Sequence, residues 1–104
     1  MSLGYVVYRI TFPNGKIYIG KDIGGVGHAL QYFGSWSSAL VAADLTDLQL
    51  RDFTLRKEII FESVSKEEVS RMEGELIVAL RANDPEIGYN QTHRSISKGM
   101  SPSL

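Results

Sequence analysis

Two β-prone runs near the start of the chain are separated by a short turn, and this pairing restricts the fold more than any other feature. Residues 5–12 are almost all β-branched, aliphatic or aromatic, and residues 17–19 repeat that composition over a shorter length. The segment Pro13-Asn14-Gly15 lies between the two runs and has the residue types that form tight turns. The sequence therefore predicts an antiparallel hairpin.

The length of the hairpin loop decides whether Tyr8 and Tyr18 share a face of the sheet. A two-residue loop would put them on opposite faces, whereas a three-residue loop pairs Tyr8 with Gly20 and puts both rings on one face. Pro13 suits the second position of a type I turn, and Gly15 suits the left-handed bulge residue that follows it. We therefore expect a three-residue loop. Taken singly, each tyrosine is better explained as a core or sheet-surface residue.

The remaining pattern predicts an α/β domain over residues 4–92. The predicted elements are a Gly-rich loop with room for one helical turn at 22–34, one helix at 37–50 starting near Ser35 or Ser37, a strand at 55–62, a long helix from Ser65 to about residue 82, and an ordered turn or short strand at 88–90. Ser65 with Glu68 three residues later resembles a capping box. Residues 93–104 lack an apolar pattern, and we expect a loose tail there.

Composition narrows the functional classes. The chain has 104 residues, of which 43% are hydrophobic and 22% charged, as expected for one globular domain. It has no apolar run long enough for a membrane span and no secretion signal, and the absence of cysteine rules out disulfides and thiolate metal sites. We therefore expect a cytoplasmic protein without a membrane partner. The net charge of −1 does not indicate a nucleic-acid binder, so any such function has to depend on a defined site.

One carboxylate in the long helix occupies a position that a helical wheel assigns to the core. Glu73 lies near the middle of an apolar stripe, between Val69 and Ile77 at four residues on either side, whereas Glu75 projects to the polar face. A carboxylate that faces a core is costly unless it is paired, protonated or bound to a metal. Glu73 is therefore either a salt-bridged or rim residue, or a metal ligand at the edge of a cleft.

These residues together resemble the GIY-YIG endonuclease family, particularly its phage and homing-type members. Val6-Val7-Tyr8 resembles the GIY element with valine replacing glycine, and Tyr18-Ile19-Gly20 is the YIG element intact. Phe33-Gly34-Ser35 resembles an aromatic-Gly-Ser turn of many members. The family's metal-binding glutamate precedes a Gly-Tyr-Asn turn, here residues 88–90, and that spacing selects Glu73.

The resemblance implies a fold, a chemistry and a set of site residues. The implied fold is a small three-stranded antiparallel β-sheet flanked by helices, and the implied activity is hydrolysis of DNA phosphodiester bonds with Mg²⁺ or Mn²⁺. Tyr8 would help to activate a water molecule, and Tyr18 would orient the phosphate or the water. Glu73 would hold the metal, and Asn90 would support the site. A metal beside a phosphate lowers the pKa of bound water and stabilises the charged transition state.

The sequence departs from the family at its usual arginine. That residue follows the YIG element by several positions, but no arginine occurs between Gly20 and Leu50. His28 lies in the expected segment with Tyr32 four residues later, and Lys21 is the nearest cation in the hairpin. We expect Lys21 or a cationic His28 to replace part of the arginine's function. The alternative to an endonuclease is a non-catalytic relative that binds DNA or protein through the same surface.

Overall fold

The computed structural model describes residues 4–24 and 26–91, and these residues form a three-stranded antiparallel sheet with helices on both faces. The strands are β1 (Tyr5–Thr11), β2 (Ile17–Asp22) and β3 (Arg56–Ser63), in the order β2-β1-β3. The helices are α1 (Val26–Gln31), α2 (Ser38–Asp44), α3 (Asp47–Arg51) and α4 (Lys66–Ala79). The predicted fold class, an α/β fold with a small antiparallel sheet, is confirmed. Residue 92 of the predicted domain and the predicted tail at 93–104 lie outside the described residues.

The hairpin between β1 and β2 has the predicted three-residue loop. The Phe12 N–H donates to the carbonyl of Lys16 at 2.9 Å, and the Gly15 N–H donates to the carbonyl of Phe12 at 2.8 Å. Gly15 adopts the left-handed conformation, with φ of 87°, which glycine enters without steric cost. The resulting register pairs Tyr8 with Gly20, as the turn chemistry predicts.

The prediction of one helix over residues 37–50 is wrong, because the segment forms α2 and α3 separately. Leu45 leaves the helical conformation, with φ of −92° and ψ of 149°, and buries its side chain. Thr46 then starts α3: its side chain accepts the Gln49 N–H, while the Gln49 side chain accepts the Thr46 N–H. This reciprocal capping box stabilises a new helix start within an Ala- and Leu-rich run.

The predicted start of α4 at Ser65 is confirmed, but the predicted capping box is not formed. The Ser65 side chain accepts the Glu68 N–H at 3.2 Å. The Ser65 N–H donates instead to the Ser63 hydroxyl oxygen at 3.0 Å, and the Glu68 carboxylate accepts from that same hydroxyl. The helix ends at Ala79, three residues earlier than predicted, and Arg81 follows with φ of 59°.

Apolar side chains cover both faces of the sheet, so the domain has two small cores. The first core contains Tyr8, Ile10, Phe12, Val41, Leu45 and Tyr89. The second lies under α4 and contains Val7, Ile19, Val69, Ile77 and Ala82. Alternate residues of β1 therefore enter different cores, as expected for a central strand buried on both sides. None of the helices in residues 4–24 and 26–91 has the length and apolar character needed to cross a membrane.

Candidate active site

Tyr8 and Tyr18 lie on the same face of the sheet, as the hairpin register predicts. Tyr8 is opposite Gly20, and Tyr18 is opposite Ile10. The Tyr8 phenol extends across β2 directly over Gly20, since a methyl group on Gly20 would come within 2.3 Å of the Tyr8 hydroxyl oxygen. The absence of a side chain at Gly20 thus allows a buried tyrosine on the central strand to reach the edge of the sheet.

Both tyrosine rings also meet at Gly34, in the connection between α1 and α2. Gly34 has φ of 107°, and a methyl group there would lie 2.7 Å from Cε2 of Tyr18 and 3.1 Å from the Tyr8 hydroxyl oxygen. The neighbouring Ser35 hydroxyl lies 3.2 Å from the Tyr18 hydroxyl. The Phe-Gly-Ser turn identified in the sequence therefore packs against both tyrosines and fixes where their hydroxyl groups lie.

The environment of Tyr8 keeps its phenol protonated. Tyr8 is only 1% exposed, and its burial raises the pKa of the hydroxyl well above the usual value for tyrosine. Interactions with Tyr18 and Tyr32 add to the effect, and so do the negative charges of Asp22 and Glu73. A phenol with this pKa donates a hydrogen bond at neutral pH and does not act as a base.

Glu73 is partly buried on α4, between the buried residues Val69 and Ile77. The charge of Glu73 also raises the pKa of the Tyr8 hydroxyl, which indicates an electrostatic interaction between the two groups. Glu75 is exposed and forms an ion pair with Arg71 at 2.8 Å, as expected for the polar side of the helix. The two glutamates of α4 thus have different surroundings, as the helical wheel predicts.

Asn90 pairs with the outer edge of β2. Its side-chain oxygen accepts the Ile19 N–H at 2.8 Å, and its side-chain amide donates to the Ile19 carbonyl at 2.7 Å. Asn90 is buried and helps to line a pocket of about 260 Å³, whose walls are Tyr18, Ser35, Trp36, Tyr89, Asn90 and Gln91. The Asn90 side chain thus satisfies the same backbone groups of Ile19 that a neighbouring strand would. This pairing holds the segment from Tyr18 to Gly20 in place.

Lys21 is not close to the tyrosines, in contrast to our expectation for the hairpin cation. The register pairs Lys21 with Val7, so its side chain leaves the sheet on the face covered by α4. Its ammonium group donates to the Ser70 hydroxyl at 2.7 Å. Strand alternation alone explains this result, because Lys21 directly follows Gly20, which lies on the tyrosine face.

His28 lies in α1 on the tyrosine side of the sheet. Its Nδ1 is 2.7 Å from Oδ2 and 2.8 Å from Oδ1 of Asp22, and the Asp22 side chain is completely buried. The imidazole also stacks on Tyr32, with ring centres 5.0 Å apart. Tyr32 in turn meets Tyr8 edge to face at 6.3 Å. A chain of aromatic contacts therefore connects His28 with Tyr8.

Lys57 on β3 is a cation on the tyrosine face that sequence reasoning does not find. Its ammonium group lies 4.4 Å from the centre of the Tyr8 ring and donates to the carbonyls of Ala29 and Tyr32. Burial lowers the pKa of Lys57. The register between β1 and β3 shifts at a bulge between Val7 and Tyr8, so strand alternation could not have given this position without the structure.

Comparison of the chain with protein-family models, curated proteins and solved structures finds no match.

Assignment of a function therefore depends on the residues themselves and on their arrangement. The sequence contains a signal for one more site residue, because Tyr18, Gly20 and Asp22 are alternate residues of β2 and therefore lie on one face. An aspartate at the end of an apolar strand and on the same face as two tyrosines is a candidate for a buried, functional carboxylate.

Proposed function

We propose that the chain is a metal-dependent endonuclease domain that hydrolyses DNA phosphodiester bonds. The observation that supports this most directly is the convergence of the Tyr8 and Tyr18 phenols over Gly20 and Gly34, with the Glu73 carboxylate within electrostatic reach. The resemblance of the hairpin, of Glu73 and of the Gly-Tyr-Asn turn to GIY-YIG endonucleases selects the same residues. Hydroxyl donors that interact electrostatically with a carboxylate suit a reaction in which a phosphate oxygen gains charge.

The donor atoms of the site fit a hard divalent cation held mainly by its substrate. The described residues contain no group of three or more His, Asp or Glu side chains that could hold a metal by themselves. Mg²⁺ commonly binds through one or two carboxylates, with waters and substrate phosphates completing its shell. Glu73 is the residue that would hold such an ion, and the ion would supply Lewis-acid stabilisation of the phosphate.

The protein's own residues have separable roles in this proposal. Tyr8 keeps its proton and donates a hydrogen bond to a phosphate or to the attacking water. The Tyr18 hydroxyl, 3.2 Å from the Ser35 hydroxyl, fixes the orientation of the bound phosphodiester. Asn90 keeps β2 in register beneath both groups by pairing with the backbone of Ile19.

The first test compares two glutamates of the same helix. Glu73→Gln removes a ligand charge with little change in volume, so we expect loss of Mg²⁺- or Mn²⁺-dependent plasmid cleavage by about 100-fold or more, the loss typical of one group that stabilises transition-state charge. Glu75→Gln is the matched control and should cleave like the wild type, because Glu75 is exposed on the polar side of the helix, where it pairs with Arg71. Cleavage is measured by gel electrophoresis of supercoiled plasmid.

Urea unfolding of both variants distinguishes the metal-ligand role of Glu73 from a structural ion pair. A structural pair predicts that Glu73→Gln loses stability as well as activity, since it leaves a partner charge without compensation. Equal cleavage by Glu73→Gln and the wild type would contradict the assignment of Glu73. A wild-type domain that cuts no plasmid with either metal would contradict the endonuclease proposal itself.

The alternative is a non-catalytic module that binds DNA or protein through the same surface. The observation that favours it is the absence of arginine between Gly20 and Leu50, together with the position of Lys21 on the opposite face. Such a module would bind DNA in gel-shift experiments with no strand cleavage, and Glu73→Gln would not weaken its binding. Binding and cleavage measured on the same DNA therefore separate the two functions.

A further inference from the structure

Asp22 and His28 form a carboxylate–imidazole pair at the edge of the tyrosine cluster. Nδ1 of His28 contacts both carboxylate oxygens of Asp22, at 2.7 and 2.8 Å. The Asp22 side chain has no exposed surface, whereas the His28 side chain is 53% exposed. One ring nitrogen is thus held by the buried carboxylate, while the imidazole itself is open to solvent and to a ligand.

The surroundings hold this pair in one orientation. The Gly24 N–H donates to Oδ1 of Asp22 at 2.7 Å, so that oxygen has a backbone partner as well as the imidazole. A methyl group on Gly24 would lie 2.7 Å from Cγ of His28, which shows that the loop backbone packs against one side of the ring. Tyr32 stacks on the ring with an angle of 27° between the planes.

This arrangement sets the proton positions on the imidazole. An ionised carboxylate only accepts hydrogen bonds, so Asp22 selects the tautomer of neutral His28 in which Nδ1 carries the proton. Nε2 is then an unprotonated nitrogen on a half-exposed ring. The same logic orients the histidine of hydrolytic triads, where an aspartate on one ring nitrogen leaves the other available as a base.

We propose that His28 is the general base of the reaction and that Asp22 is its positioning residue. This inference rests on the proposed endonuclease function and adds a role that the family resemblance does not assign to Asp22. The retention of the proton on Tyr8 supports it, since the site then needs another acceptor. Tyr32 connects the imidazole with Tyr8 through ring contacts of 5.0 and 6.3 Å.

The chemical step is a hydrolysis with a complete proton balance. A water molecule gives one proton to Nε2 of His28 while its oxygen forms a bond to phosphorus. The bond between phosphorus and the leaving deoxyribose oxygen breaks, and that oxygen keeps the electron pair and takes a proton from solvent. The imidazolium, stabilised by Asp22, then returns its proton to solvent. The products are one phosphomonoester end and one hydroxyl end.

Asp22→Asn provides the decisive variant because Gly24 dictates the orientation of the new amide. The amide oxygen has to accept the Gly24 N–H, which places the amide NH₂ against Nδ1 of His28. The NH₂ group, in the place of Oδ2 and 2.7 Å from Nδ1, donates to Nδ1 and competes against the uncharged amide oxygen, which lies 2.8 Å from Nδ1 and already accepts the Gly24 N–H, so the imidazole proton moves to Nε2 and the base is lost. We expect kcat for plasmid cleavage to fall about 100-fold or more, with KM changed less than about threefold.

Nitrogen-15 NMR of the imidazole reads the tautomer directly and does not depend on activity. At about pH 8.5, where free histidine is neutral, the wild type should show a protonated Nδ1 and Asp22→Asn a protonated Nε2. Asp47→Asn is the matched control, since Asp47 is exposed in the first turn of α3, and both its cleavage and its His28 spectrum should equal those of the wild type. A protonated Nε2 in the wild type would overturn the proposal.

His28→Gln keeps the proposal testable if the buried amide introduced by Asp22→Asn prevents folding. Gln at position 28 keeps an N–H donor for the buried Asp22 carboxylate but has no basic nitrogen, and we expect this variant to lower kcat by about the same factor as Asp22→Asn. Cleavage at the wild-type rate by either folded variant would overturn the base role while leaving the endonuclease function intact. An inactive wild type would overturn both, so the two failures are distinguishable.

Discussion

Gly20 is required by the side chain on the neighbouring strand and not by its own backbone angles. Gly15 and Gly34 have positive φ, but Gly20 lies within regular β2. Because Gly20 has no side chain, the Tyr8 phenol can occupy the space above it. A tyrosine on the central strand can therefore reach the edge of the sheet. The pairing of Tyr8 with Gly20 was predictable from the turn residues, since loop length fixes register.

Gly20→Ala is expected to destabilise the domain by about 1–3 kcal/mol, because the new methyl group overlaps the Tyr8 ring. The cost should be smaller in a Tyr8→Leu background, where the phenol is gone. Urea unfolding of both single variants and the double variant measures this coupling. Additive changes in the free energy of unfolding would show that the two residues do not compete for space.

The raised pKa of Tyr8 predicts a specific loss of stability at alkaline pH. The pKa is near 10 in the unfolded chain and higher in the folded domain, so the stabilising contribution is complete below pH 10 and decreases as the pH rises above it. Each pH unit in that window costs about 1.4 kcal/mol for one such group. Tyr8→Phe should therefore lose less stability than the wild type between about pH 10 and pH 11. Parallel stability curves would contradict this prediction.

The helical period correctly predicts that Glu73 is more buried than Glu75, whereas the expectation that Lys21 lies near the tyrosines is wrong, and one principle explains both outcomes. A helical period separates the two glutamates without knowledge of the tertiary structure. Successive residues of a strand point to opposite faces of the sheet. The register that puts Tyr8 opposite Gly20 therefore puts the Lys21 side chain on the other face. The position of Lys57 beside Tyr8 could not be predicted, because no sequence pattern gives the register between strands that lie about 50 residues apart and pair across a bulge.

The elements of the fold were predictable where one local signal dominated. Ser65 fixes the start of α4, and the turn residues fix the hairpin between β1 and β2. The prediction of a single helix at 37–50 is wrong because it relied on helix-forming composition alone. Thr46 and Gln49 form a capping box that starts a new helix within this segment. Local hydrogen-bond competition, rather than helix propensity, thus divides this segment.

The outer edge of β2 depends on one side chain. Asn90→Ala would leave the N–H and C=O of Ile19 without their buried partner, and we expect a cost on the order of 3 kcal/mol. The Ile19 amide should also exchange its hydrogen faster than in the wild type, as measured by NMR. Gln91→Ala serves as control because Gln91 is exposed. An unchanged exchange rate at Ile19 would show that another group satisfies this strand edge.

At the scale of the whole molecule, several of the positive charges in residues 4–24 and 26–91 are paired with carboxylates of the same domain. In the part of the chain that the structure describes, carboxylates pair with Arg9, Lys16, Arg56, Arg71 and Arg81. The Lys16–Asp44 pair holds the hairpin loop to the end of α2 at 2.5 Å, and Asp44 raises the pKa of Lys16 through this hydrogen bond. Phosphate contacts by the domain should therefore be few.

DNA affinity of the isolated domain should respond weakly to salt. Each neutralised phosphate contributes about −0.9 to the slope of log K against log salt concentration, and we expect a slope no steeper than about −3. Fluorescence anisotropy with a labelled duplex, between about 50 and 200 mM salt, measures this slope. A steep slope would reveal a basic surface that the ion pairs of the described residues do not indicate.

The strand order β2-β1-β3 implies a sequence of events during folding. The short segment 12–16 joins strands β1 and β2, so they can pair at a small entropic cost of loop closure. Strand β3 and helix α4 reach the same central strand only after a much longer stretch of chain has been ordered. We therefore expect the hairpin to bring the two tyrosines together before Lys57 and Glu73 join them, so that a partly folded chain contains the paired tyrosines without the complete site.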